Sequence, residues 1–185
     1  MRPFPMLPLL LLLGCGAPLP PFATLPPAFN TAGDPLRGAV LLSAFAFNQP
    51  AQATPAARLR AHAMLEWMAA DFRWNPRWSE FTPVLGQQLD AARAEQRAAL
   101  GMAPGLSPQA AVDALFAAAW AVETGAAPPV QPDAFPQRDR FLAAIVTPPA
   151  LPVAAGAVSL AEAELRRIDT SGRFNGDGGS GGAHP

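Results

Sequence analysis

The sequence of 185 residues has one cysteine, two histidines, no lysine and no tyrosine. A single cysteine excludes an internal disulfide and any metal cluster held by several thiolates. Every basic residue is an arginine, and the 13 arginines nearly balance 14 acidic residues. Because no basic stripe appears, we expect no nucleic-acid partner. Half of the residues are apolar, which is enough to build a buried core.

The single cysteine directly follows a short leucine-rich segment at the N-terminus. Arg2 precedes an apolar run of about eight residues at positions 6–13, whereas a membrane-spanning helix needs about 20. A signal peptide typically has a basic residue, then a short apolar run and then a small residue, here Gly14. An ordinary secretory signal with an incidental cysteine would satisfy the same pattern.

The motif Leu12-Leu13-Gly14-Cys15 resembles the lipobox of bacterial lipoproteins, and the resemblance covers about the first 16 residues. It implies that residues 1–14 are removed as a signal peptide and that Cys15 is lipidated. Two or more acyl chains would hold the protein stably at a membrane. Gly16, rather than an aspartate, follows the cysteine, which implies the outer membrane with the protein facing the periplasm. The rest of the chain resembles no family.

Residues 15–33 read as a tether between the cysteine and the first predicted helix. They contain five prolines and almost no charge. Such a segment favours polyproline II, and fully extended it would reach on the order of 50 Å from the lipid. Phe22, Leu25 and Phe29 could instead pack onto the domain. The sequence leaves both possibilities open.

Four pairs of a capping residue and a proline predict four helix starts, because the side chain satisfies a free N–H and proline fits the first turn. These pairs are Asp34-Pro35, Thr54-Pro55, Thr82-Pro83 and Ser107-Pro108. A fifth start is indicated near Pro136, and a sixth at the capping box from Ser159 to Glu162. No stretch alternates like a strand. We therefore predict an all-α domain of five or six short helices over 34–169, followed by a disordered glycine-rich tail over 170–185.

The apolar pattern also predicts which parts of this domain are buried. The segment 35–47 is apolar nearly all round, so we expect it to be the central and most buried helix. The proline-rich connectors 101–108 and 125–136 are expected on the outside. Gly101 and Gly125 follow predicted helices and suit left-handed C-caps.

Residues 66–81, which we name the aromatic corner, are the densest aromatic segment. Its aromatic residues are Trp67, Phe72, Trp74, Trp78 and Phe81. One interpretation is an exposed surface in which Trp74, Trp78, Arg73 and Arg77 bind a partner protein, a glycan or a lipid headgroup. The other is a packed joint between two helices, in which the rings are buried.

Catalytic and metal-binding chemistry has few candidates in this chain. His62 and Glu66 are spaced i, i+4, as in metal sites and acid–base pairs, but the only other histidine is His184 near the end. We interpret His62 and Glu66 as a surface pair, with Arg58 one turn earlier. We therefore predict no catalytic residue, no metal site and no cofactor.

Two functional hypotheses follow. The first is a lipid-anchored, non-enzymatic protein of the cell envelope that binds or scaffolds a partner protein through the aromatic corner. The alternative is a periplasm-facing carrier that holds an apolar small ligand between its helices. The apolar residues that motivate the carrier are Met64, Met68, Phe45, Phe47 and Phe116. An enzyme that uses His62 and Glu66 is the third and weakest hypothesis.

Overall fold

The computed structural model describes residues 23–29 and 34–176 of the chain. This part contains six α-helices, two 3₁₀ turns and no strand, so the predicted all-α fold is confirmed. The helices are α1 (Pro35–Asn48), α2 (Pro55–Asp71), α3 (Pro83–Ala99), α4 (Pro108–Glu123), α5 (Arg138–Val146) and α6 (Pro152–Gly176). The 3₁₀ turns are Pro27–Phe29 and Pro76–Trp78. The predicted signal peptide, Cys15 and the first part of the tether lie outside the described residues.

The four helix starts predicted from capping residues and prolines are all confirmed. Asp34, Thr54 and Ser107 each accept a hydrogen bond from a backbone N–H of the first turn, over 3.0 to 3.2 Å. Thr82 makes no cap bond, and its buried hydroxyl has no partner in the described part of the chain. A capping residue followed by proline therefore begins a helix at all four positions, with a side-chain cap bond at three of them.

The predicted C-caps are also confirmed. Gly101 and Gly125 have φ values of 64° and 74°, in the left-handed region that a glycine enters without strain. They end α3 and α4 respectively. The chain then turns away into the two proline-rich connectors.

Helix α2 lies at the centre of the fold, in contact with α1, α3 and α4, while α6 packs across α1 and α3. Thirteen of the 17 residues of α2 are buried. Our prediction that segment 35–47 is the most buried helix is therefore wrong, because α1 leaves Leu41 and Phe45 more than two-fifths exposed. Helix α2 can bury polar side chains such as His62, Glu66 and Asp71 because the hydrogen bonds described below satisfy them.

The last helix begins earlier than predicted. Helix α6 starts at Pro152 rather than at Ser159, which lies inside the helix and accepts a hydrogen bond from the Asn48 amide. The Glu95 carboxylate of α3 accepts hydrogen bonds from the backbone N–H groups of Val153 and Ala154, at 3.2 and 2.8 Å. The cap therefore comes from another helix, and no local sequence pattern could show it.

The last helix also ends later than predicted. It continues beyond Thr170 to Gly176, so the predicted start of the disordered tail is wrong for 170–176. The rest of the predicted tail, 177–185, lies outside the described residues. Within the helix, Glu162 and Arg166 are spaced i, i+4 and form an ion pair at 2.6 Å.

The proline-rich connectors are less external than predicted. Ala134 and Phe135, at the end of 125–136, are buried, and the Phe135 ring stacks on Phe141 with 3.7 Å between centroids. Met102 of the first connector is buried beside them. These residues close a second apolar cluster under α2 and α4, because α5 alone is too short to cover it.

The described part of the tether packs onto the domain. Ala23 and Leu25 are buried, and the ring centroid of Phe29 lies 5.0 Å from that of Phe116 on α4. The Thr24 backbone N–H donates to the Gln109 side chain. Of the two possibilities that the sequence left open, the packed one holds for 23–29.

Within the described residues, no helix has both the length and the apolarity needed to cross a membrane.

Candidate functional site

Most aromatic rings of the aromatic corner are buried in a packed joint, whereas Trp74 is exposed. Trp67 and Trp78 are buried, and the indole N–H of Trp78 donates to a carboxylate oxygen of Asp71 at 3.0 Å. The Trp78 ring lies about 5 Å from the rings of Phe72 and Phe81. Of the two interpretations, the packed joint therefore holds for Trp78, because its ring is part of the core.

The other three predicted partner-binding residues lie at the surface of this corner. Trp74 is 52% exposed. Arg73 forms an ion pair with Asp90. Arg77 lies 3.5 Å from an Asp71 oxygen and 5.6 Å from the centre of the Trp67 ring. Both arginines thus make contacts within the domain, and Trp74 is the residue of the four with the most free apolar surface.

A different surface has the shape of a small-molecule site. A cleft of about 390 Å³ opens between the end of α1, the first half of α2 and residues 148–152, and we name it the proline cleft. Phe47 and His62 form one wall, with their rings perpendicular and 5.0 Å apart. The opposite wall consists of Pro148, Pro149, Leu151 and Pro152. The walls are therefore rigid and largely apolar.

His62 is held in this wall by a hydrogen bond from its ring to α3. Its Nδ1 lies 2.9 Å from Gln96 Oε1. The Gln96 amide nitrogen donates to the His62 carbonyl at 3.2 Å and to Glu66 Oε1 at 3.0 Å, so its oxygen faces the imidazole. Since that oxygen can only accept, the network assigns the proton to Nδ1 and leaves Nε2 as an acceptor. In the described part of the chain, Nε2 has no hydrogen-bond partner, and it is not sealed from solvent.

Glu66 anchors this network by an ion pair with Arg97. Its carboxylate is completely buried and receives two bonds from the guanidinium, Nε to Oε1 at 2.8 Å and Nη2 to Oε2 at 2.7 Å. The other arginine nitrogen donates to the carbonyls of Pro104 and Leu106. Our interpretation of His62 and Glu66 as a surface pair is therefore wrong. Their spacing places both on the face of α2 that packs against α3, and α3 supplies the partners for both.

Burial keeps His62 neutral. It lowers the pKa of the imidazole from 6.5 to about 4, because the charged form loses its hydration. The hydrogen bond to Gln96 acts in the opposite direction, and the nearby positive charge of Arg58 adds to the lowering. At neutral pH the His62 ring that lines the cleft is therefore uncharged, and its Nε2 is an acceptor.

Arg58 fixes the rim of the proline cleft. Its guanidinium donates to the carbonyls of Pro50, Ala53 and Ile145, at 3.2, 2.7 and 2.8 Å. Burial lowers its pKa. It thus joins the loop after α1 to the end of α5, and its charge lies near the helix C-terminus, where a cation is favoured.

Of the residues that motivated the carrier hypothesis, only Phe47 lines the proline cleft. Met64 and Met68 are buried in the core, Phe45 is 42% exposed, and Phe116 packs against the tether. The sequence reasoning missed Gln96 and the role of 148–152, although the run of prolines there was a usable signal. Within the described residues, no group of three or more His, Cys, Asp or Glu side chains could hold a metal ion.

The proline cleft therefore offers largely apolar walls, the neutral His62 ring, and two further polar side chains, Asn48 and Arg58. That combination suits an uncharged ligand with an aromatic or aliphatic body.

Comparison of this chain with protein-family models, with curated proteins and with solved structures found no match.

Proposed function

We propose that this chain is a lipid-anchored, non-enzymatic binding protein of the bacterial cell envelope, which holds a small apolar ligand in the proline cleft. The observation that carries the proposal is the combination of apolar walls with the neutral acceptor Nε2 of His62. The lipobox motif at Cys15 supports anchoring by lipid, with the domain facing the periplasm at the outer membrane.

The size of the cleft fits this role. Its volume of about 390 Å³ falls within the range of roughly 300 to 1,000 Å³ that small-molecule sites occupy. A ligand the size of an indole that buries about 150 Å² of apolar surface gains roughly 4 kcal/mol, before the entropy of association is subtracted. The proline walls lose little freedom when the ligand binds, so ordering of the site adds little to the cost of association.

His62 supports selection of a ligand that carries a hydrogen-bond donor. Its Nδ1 proton is engaged by Gln96, which prevents the ring from presenting a donor to the cleft. A ligand N–H or O–H directed at Nε2 gains a hydrogen bond, while a ligand acceptor at the same place gains none. We therefore expect the ligand to be a neutral ring compound with one donor.

Titration of the full chain with indole and with indene tests the proposal, because indene has the same shape and no N–H. We expect indole to bind more tightly by about tenfold, the difference that one hydrogen bond to a site otherwise left unpaired produces. His62→Phe keeps an aromatic wall and is expected to remove the preference, while Trp74→Ala, outside the cleft, leaves it unchanged. Failure of both compounds to bind, or a preference that survives His62→Phe, would argue against the assignment.

Lipid anchoring is tested separately by fractionation of cells. Cys15→Ser is expected to move the protein out of the membrane fraction, because no acyl chain can then attach. A variant that stays with the membrane would show that the lipobox interpretation is wrong. The result is independent of whether the proline cleft binds a ligand.

Binding of a partner protein at the aromatic corner is a second candidate function, favoured by the exposure of Trp74. Trp74→Ala is expected to release a partner that crosslinks to the wild-type protein in intact cells. The same crosslinks in wild type and variant would remove this candidate.

A further inference from the structure

A second groove, of about 510 Å³, lies between α3 and the segments that precede α4 and α5. Arg93, Arg97 and Arg140 line it, together with one carboxylate, that of Asp90. We name it the arginine groove. Gathering like charges in one place is unfavourable, so the charges around the groove need to be accounted for.

The carboxylates of the described residues do not balance these arginines. Asp90 is shared, because one of its oxygens pairs with Arg73 and the other lies 3.2 Å from Nη2 of Arg93. Glu66 is buried behind the groove and is fully engaged by Arg97. Three arginines and one aspartate line the groove, and the Glu66 carboxylate behind it offsets Arg97, so the positive charges outnumber the negative ones.

The three arginines differ in the donors that they keep free. Arg97 uses all three of its nitrogens on Glu66 and on two backbone carbonyls, so it shapes the groove rather than offering a contact. Within the described residues, Arg93 uses only Nη2, on Asp90, and Arg140 uses only Nη1, on the Ala98 carbonyl at 3.1 Å. Each of these two guanidiniums retains Nε–H and at least one terminal nitrogen for a ligand.

The geometry points to a binding site for a phosphate monoester in the arginine groove, independent of the proline cleft. A phosphate monoester carries close to two negative charges at neutral pH, which suits a groove lined by three arginines and one aspartate. Its three terminal oxygens suit the fork-shaped donors of two guanidiniums better than the two oxygens of a carboxylate do. The groove is larger than a bare phosphate requires, and Met102, Pro104 and Pro136 supply an apolar wall for a small organic body.

The phosphate monoester has two possible sources, a soluble compound or the headgroup of phosphatidic acid. The test therefore has two arms. In the first, the full chain is titrated calorimetrically with glycerol phosphate in chloride buffer of constant ionic strength. In the second, the full chain carrying Cys15→Ser is sedimented with phosphatidylcholine vesicles, with and without phosphatidic acid.

Arg140→Gln is the main variant, because Arg140 is exposed and its loss leaves the core intact. We expect it to weaken binding by about tenfold or more, the loss typical of a charge-assisted hydrogen bond. Arg140→Lys is expected to fall between Arg140→Gln and wild type, since it keeps the charge and loses the fork. Arg138→Gln is the matched control, because Arg138 is exposed, pairs with Asp139 and does not line the groove. Its substitution changes the net charge by the same amount.

Binding in either arm that Arg140→Gln weakens and Arg138→Gln does not supports the site, and the arm that responds identifies the source. Two results would overturn it. One is no binding of glycerol phosphate and no extra sedimentation with phosphatidic acid. The other is an equal loss in the Arg138 and Arg140 variants, which would show attraction by net charge alone. Circular dichroism of each variant checks that the helices are intact.

Discussion

Removal of the arginine that neutralises Glu66 should strongly destabilise the fold. In Arg97→Met, the completely buried Glu66 carboxylate keeps one hydrogen bond, from Gln96, and loses both bonds from the guanidinium. A buried charge left without its partner costs about 3–5 kcal/mol. Single domains are stable by only about 5–15 kcal/mol, so the loss is a large fraction of the total. At about 2–4 °C per kcal/mol, the melting temperature should fall by roughly 6–20 °C.

Urea unfolding at pH 7, followed by circular dichroism, measures this free energy. The matched control is the double variant Glu66→Leu with Arg97→Met, which removes both charges and replaces them with apolar side chains of similar size. We expect it to recover more than half of the loss, because desolvation of the two charges offsets most of what their attraction contributes. A loss below about 1 kcal/mol in Arg97→Met, or no recovery in the double variant, would refute the reasoning.

Three further predictions concern pH, burial and capping. His62 has its pKa lowered from 6.5 to about 4, so the unfolded chain binds a proton first as the pH falls. Its contribution of roughly 3 kcal/mol to the free energy of unfolding is complete above pH 6.5 and is lost between pH 6.5 and 4. Urea unfolding at both ends of this window should show a smaller difference in that free energy for His62→Gln than for wild type. Equal differences would contradict the pKa assigned to His62. Trp78→Ala should cost about 3–5 kcal/mol and Trp74→Ala less than about 1, as thermal melts of the two variants can show, since only Trp78 is buried. Ser107→Ala should lower the free energy of unfolding by about 1 kcal/mol, because it removes a cap bond. Thr82→Val should be neutral or stabilising, because the Thr82 hydroxyl has no partner in the described part of the chain. A larger loss in Thr82→Val than in Ser107→Ala, measured by urea unfolding, would count against this explanation.

The candidate site was only partly predictable from the sequence. The i, i+4 spacing correctly placed His62 and Glu66 on one face of a helix. Their burial depends on Gln96, which lies 34 positions from His62 along the chain and belongs to α3. Sequence reasoning assigned these polar groups to the surface because an unpartnered charge is costly to bury. Only packing against α3 showed that the partners exist.

The aromatic corner shows the same limit. A tryptophan beside an arginine suits an exposed surface and a packed joint equally well. Which of the two occurs depends on the Asp71 carboxylate, which receives the Trp78 indole N–H and so allows the ring to be buried. The spacing of aromatic residues alone contains no information about that acceptor.

The sequence by itself determined the features that arise from residues within one turn of each other. Four pairs of a capping residue and a proline, at Pro35, Pro55, Pro83 and Pro108, mark four helix starts, although Thr82 makes no cap bond. The lack of alternation excluded strands, and both effects act over a few residues. The tertiary structure alone decided which helix is central, where α6 begins, and how the proline cleft and the arginine groove are formed. Each of these depends on contacts between residues far apart in the chain. Glu95 of α3, for example, caps the start of α6, and a contact at that distance leaves no local pattern.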